Sequence, residues 1–259
     1  MQARLLMAGA LFSGVVMIPA PRAGSVTTRY KVVQTVTQDV DATAAGGPKQ
    51  HSVVKFTSYV QLTLTDTTGG RSIKMVVDSI HGDSLPAGAP AEMLAKAKGA
   101  IVTGFVDGKG KVSGVKANGE AGGIPLTNLV SHLVPPVRPP LKMGDAWTDT
   151  TATSNDAPGM STKTVTNYKV TGAETRGGVQ ASKVDGAFSS SIVGTQETPG
   201  GSADIDGTGT GTVTYFIAPD GKVVGGNGSS TSNLNVTLAA QGVSLPVVLS
   251  TSVEITPLP

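Results

Sequence analysis

Two stretches near the start of the chain alternate apolar and polar residues with a period of two. In residues 27–40, Tyr30, Val32, Val36 and Val40 fall on one face, with Gln34 and Gln38 between them. In the next run Val54, Phe56, Val60, Leu62 and Leu64 share a face, opposite Lys55, Thr57, Gln61 and Thr63. Successive side chains of a strand point to opposite sides, so this pattern demands strands with one packed and one solvated face. Residues 41–50 and 65–72, rich in Gly, Asp and Thr, read as turns, and Ile73, Met75 and Val77 continue the meander. Further strand-like runs fall at 163–171, 179–188, 211–217, 233–238 and 245–255, the last alternating through Val247, Leu249, Val253 and Ile255.

Two segments break this period. Pro90 followed by Ala91 to Lys98 and Gly99 is helix material with suitable start and stop residues. Leu126, Leu129, Val130 and Leu133 recur at helical spacing and form one apolar stripe. A bridge containing Pro135, Pro136, Pro139 and Pro140 follows, then Gly144, Asp145 and Trp147, the only tryptophan. The proline-rich bridge predicts an extended, stiff path and an internal boundary. The halves on either side resemble each other: Asp107-Gly108 and Asp220-Gly221 each sit between strand-like runs and predict tight hairpins. The expected fold is all-β with two short helices, a curved antiparallel sheet or half-barrel made of two similar meanders. One β domain spans 24–259, its halves at about 27–118 and 141–259 being joined by a helix and the bridge. The helices are expected on the concave side.

Residues 1–23 read as a secretory signal peptide: Arg4, an uncharged apolar run from Leu5 to Ala20, then small residues at Ala20, Ala23 and Gly24. Cleavage is expected between Ala20 and Ala23, with export to the periplasm or exterior and no transmembrane segment in the mature chain. Loss of Arg4 and Arg22 takes Lys+Arg from 20 to 18, matching 18 Asp+Glu. A neutral mature chain without a basic face argues against a nucleic-acid partner. The absence of cysteine excludes disulfides, thiolate metal sites and a lipidated N-terminal cysteine.

The bridge carries a resemblance. Lys142, Gly144, Asp145 and Trp147 resemble the P-x-x-x-V-K-x-G-D-x-W bridge of uncharacterised exported bacterial β proteins, with Leu141 in place of Val. That resemblance implies a distant likeness to the half-barrel of periplasmic lipoprotein carriers. It carries no activity.

Candidate chemistry is sparse. His51, His81 and His132 lie at no metal-ligand spacing, and no G-x-S-x-G elbow accompanies His81. Asp204, Asp206 and Gly209 match the start of a calcium loop, but Tyr215 stands where Glu is needed, and a polar loop entering a strand is the simpler reading. Gly207, Gly209 and Gly211 would share a face of that strand and admit a close neighbour. No catalytic, metal-ligating or cofactor-binding residue is assigned, and no cofactor is expected. Gly144, Asp145 and Trp147 are assigned a structural role, the turn aiming the indole inward. The expected function is a non-catalytic envelope protein holding an apolar ligand, lipid or lipidated partner. The alternative is a structural or surface-assembly component, with hydrolase activity the least supported.

Overall fold

The computed structural model describes residues 24–84, 94, 97–118, 126–137, 139–154, 159–198 and 201–259. One antiparallel sheet of eleven strands curves into a half-barrel. Five strands form the first meander: β1 (Ser25–Asp41), β2 (Lys49–Thr67), β3 (Gly70–Ser84), β4 (Ile101–Asp107) and β5 (Val112–Asn118). Six form the second: β6 (Ala146–Ser154), β7 (Met160–Arg176), β8 (Val179–Thr198), β9 (Gly201–Ile217), β10 (Val223–Leu238) and β11 (Val243–Leu258). The spatial order β5-β4-β3-β2-β1-β11-β10-β9-β8-β7-β6 joins the meanders through β1 and β11, so β5 and β6 are the sheet edges. The β1–β11 ladder runs in unbroken register from Arg29↔Leu258 to Val40↔Val247.

The core sits at one end of the strands. Inward residues there include Tyr30 and Val32 on β1, Val60 on β2, Met75 on β3, Val102 on β4, Val170 on β7, Ile217 on β9 and Ile255 on β11, all at most 3% exposed. Removing each such aliphatic side chain from water contributes ~1.5–3 kcal/mol. The Tyr30 hydroxyl donates to the Val223 carbonyl at 3.0 Å, tying the first meander to the second across the core. The only α-helix longer than one turn among the described residues, α1 (Leu126–Leu133), packs its four apolar residues into this cluster from the concave side and touches β4 and β5. The helix expected between Pro90 and Gly99 falls almost wholly outside the described residues. Gly99, where that helix is expected to stop, has φ of 80° and donates its N–H to the Val77 carbonyl.

The proline-rich bridge is no linker between domains. Val134 and Val137 are buried in the same core that unites both meanders, so the bridge crosses the packed end of the half-barrel. Its backbone lies so close to the β4–β5 turn that a Cβ on Gly110 would meet the Val137 carbonyl at 2.8 Å. In this hairpin Gly110, with φ of 81°, takes the left-handed position, not Gly108. The Asp107 carboxylate accepts from the N–H groups of Lys109 and Lys111, and this four-residue loop moves the left-handed position two places on. In the other hairpin Gly221, at 86°, fills the expected role.

Candidate ligand-binding cavity

Register assigns every side chain of the second meander to a face. Tyr215 on β9 pairs with Gly226 on β10, Phe188 on β8 with Gly211 on β9, and Tyr168 on β7 with Gly186 on β8. In each pair an aromatic residue faces a glycine on the next strand. A Cβ built on Gly211 would run into the Phe188 ring, and one on Gly186 would meet the Tyr168 ring at 2.8 Å. The missing side chains therefore leave space over the neighbouring strand that the rings occupy.

The concave side beside α1 holds a cavity of about 390 Å³. Its floor is built from Tyr168, Phe188, Val213, Tyr215 and Val253, and its rim from inward threonines such as Thr162, Thr164 and Thr251. The polar face of α1 closes it with Asn128, Ser131 and His132. The helix thus divides its surface: the apolar stripe faces the core, while the opposite face meets a hydroxyl-lined wall. Among the described residues no Asp, Glu, Lys or Arg lines the cavity. His132 is part-exposed by area, but packing around its ring desolvates it and holds its pKa below the ordinary imidazole value. Burial, opposed by the Thr166 hydroxyl and aided by the Asp149 charge, pushes the Tyr168 phenol up to about 12, and burial also raises Tyr215. Near neutral pH every one of these described groups is uncharged.

The residues singled out in the sequence are dispersed. His51 sits on the outer face of β2 with Nδ1 2.7 Å from the Asp39 carboxylate. His81 is on the outer face of β3, edge-on to Tyr59 with ring centroids 6.0 Å apart. Of the three histidines, His132 alone reaches the cavity. Asp204 and Asp206 belong to the regular strand β9, not to a loop, because the cross-strand ladder continues through them. Their side chains share its outer face, and the Thr195 hydroxyl donates to Asp204 at 2.7 Å. Among the described residues no group of three or more His, Asp or Glu could hold a metal ion. Gly207, Gly209 and Gly211 do share the inner face of β9. Their close neighbours are Leu234 over Gly207, the Ser190 and Ser232 hydroxyls over Gly209, and the Phe188 ring over Gly211.

Gly144 and Asp145 form the turn that starts β6. Gly144 has φ of 89°, its N–H donates to the Val170 carbonyl, and Val170 donates back to Asp145. The Asp145 carboxylate accepts from the Lys142 N–H at 2.7 Å. Thus pinned to β7, the next two residues pair as Ala146↔Lys169 and Trp147↔Tyr168. The Trp147 indole is part-buried against the core and stacks on Tyr168 at 5.3 Å, 20° from parallel. Its Nε1 is buried and meets no acceptor among the described residues.

The cavity wall leaves one local signal in the sequence, the alternate glycines Gly207, Gly209 and Gly211, but only the ladder shows that the neighbour over Gly211 is the Phe188 ring. No family model matches this sequence, and no curated protein matches it either. No helix among the described residues is long and apolar enough to cross a membrane.

Proposed function

We propose that this is an exported, non-catalytic carrier that holds a neutral amphiphile in the cavity between α1 and the second meander. The observation that carries this reading is the wall itself: three rings set against glycines of the next strand, threonine hydroxyls at the rim and no Asp, Glu, Lys or Arg among the described lining residues. A hydrocarbon chain would lie on the rings, while an uncharged polar head would bond the hydroxyls and the polar face of α1. The volume of about 390 Å³ is within the range of small-molecule sites. A charged head would lose hydration there without a counter-charge. Supporting the non-catalytic reading, no carboxylate among the described lining residues is placed to orient His132 as a base. The expected export signal suits a carrier of envelope lipid.

The test is a titration of solvent-stripped protein with a pyrene-labelled monoacylglycerol. Saturable one-to-one binding is expected. Thr164→Phe, on the half-buried inner face of β7, should fill the cavity and weaken binding at least ~10-fold, or about 1.4 kcal/mol. Binding that never saturates, or that ignores Thr164→Phe, contradicts the proposal.

A further inference from the structure

The two sheet edges are protected very differently. A strand edge presents unpaired N–H and C=O groups, which proteins normally blunt with short strands, lysine, proline or bulges. Edge β5 carries such devices: it has only 7 residues, it contains Lys116 and Gly114 with φ of 61°, and its register with β4 shifts between Thr103 and Phe105. Edge β6 carries one, the Asp149 carboxylate on its inner face opposite Thr166. Its sequence AWTDTTATS has no Lys, Arg, Pro or Gly, and it pairs with β7 residue for residue from Ala146↔Lys169 to Ser154↔Ser161 without a shift. Thr148, Thr150, Thr151 and Ala152 are all exposed. A cavity of about 330 Å³ separates the start of the strand from the β4–β5 turn.

We propose that β6 is a docking edge for β6 of a second copy of this chain, giving a twofold dimer with one continuous sheet. The strand is self-complementary. For the concave faces to continue across the junction, inward residues must oppose inward residues, which limits the antiparallel register to same-parity pairs. Centring the axis on Asp149 would set two carboxylates against each other, a destabilising arrangement. Centring it on Thr150 pairs Thr150 with itself, Thr148 with Ala152, and Asp149 with Thr151. Within one chain the Thr151 hydroxyl donates its single hydrogen to Asp149 at 3.1 Å, and in the dimer that hydrogen turns to the Asp149 carboxylate opposite it across the axis. Small side chains at these central pairs permit close approach. The interface is isologous and closes on itself, so a dimer rather than a filament results. This inference is independent of the carrier reading.

Sedimentation velocity across the micromolar to millimolar range should show a monomer–dimer equilibrium. Thr150→Lys sets two ammonium groups opposite each other on the axis and should leave only monomer, with an unchanged β spectrum. Because the chain lacks cysteine, Thr150→Cys gives one thiol per protomer. It should form a disulfide dimer rapidly under mild oxidation, whereas Ser113→Cys on β5 should not. A monomer at every concentration overturns the proposal. So does a dimer that survives Thr150→Lys while the thiol introduced by Thr150→Cys stays reduced. A crosslink between positions 150 and 113 in the doubly substituted chain also overturns it, since that marks open-ended pairing of β6 with β5.

Discussion

Trp147 offers a perturbation with opposite outcomes for two substitutions. The indole packs on the core from an edge strand and stacks on Tyr168 at 5.3 Å. Such a stacked pair contributes ~0.5–1.5 kcal/mol beyond burial of area. Truncating a fully buried Trp to Ala costs ~3–5 kcal/mol. Trp147 is only part-buried, so Trp147→Ala should cost about 2–3 kcal/mol. The Nε1 changes the arithmetic for phenylalanine. It is buried without an acceptor among the described residues, and an unmet buried donor costs ~1–3 kcal/mol. Trp147→Phe keeps a ring on Tyr168 and removes that donor, so the loss of area is offset and the net change should lie within about 1 kcal/mol. Urea unfolding followed by far-UV circular dichroism measures both variants without relying on the lost fluorophore. In the wild-type chain the single Trp should emit to the blue of free indole and be partly shielded from a collisional quencher. A Phe variant as unstable as the Ala variant would show that Nε1 makes a bond the geometry does not contain. An Ala variant within about 0.5 kcal/mol of wild type would remove Trp147 from the structural anchor formed with Gly144 and Asp145.

Gly211→Ala should destabilise by ~1–3 kcal/mol, because its Cβ would run into both the Phe188 ring and the Ser229 carbonyl. It should also lift the ring into the cavity, and combining it with Phe188→Ala should recover part of the loss in a double-mutant cycle. His132 predicts a pH dependence. An imidazole held below its ordinary value of 6.5 binds fewer protons in the folded chain than in the unfolded one. Stability should therefore be full above that value and fall as pH drops through it, until the folded pKa is passed. Thermal melts from pH 7.5 to 5 on wild type and His132→Gln test this, and an identical pH slope in both would refute it.

The parts of the fold that alternation reveals are those that border the core. Tyr30, Val32, Val60, Leu62, Val253 and Ile255 contrast with polar neighbours because one face is buried and the other wet. The stripe Leu126–Leu133 matches α1 at both ends for the same reason. The far ends of β8 and β9 extend well past the alternating runs. There Thr, Ser and Gly occupy both faces, since the inner side lines an opening and not a core, and hydropathic contrast disappears. β6, AWTDTTATS, escapes the period-two pattern on the same ground. The cavity is hidden differently: its ring–glycine pairs join residues from separate strands, and the alternate glycines of β9 announce a close neighbour without saying which ring supplies it. The asymmetry between five and six strands in the two meanders likewise leaves no mark on the similar Asp-Gly hairpins.

Whether the wall of Tyr168, Phe188 and Tyr215 holds a neutral amphiphile is tested most directly by native mass spectrometry of the chain purified from its own source without detergent. A discrete added mass corresponding to one uncharged lipid per chain is expected. That mass should be retained through gel filtration and absent from Thr164→Phe prepared in parallel. A spectrum of bare chain alone, or an adduct equally abundant on Thr164→Phe, would contradict the carrier function.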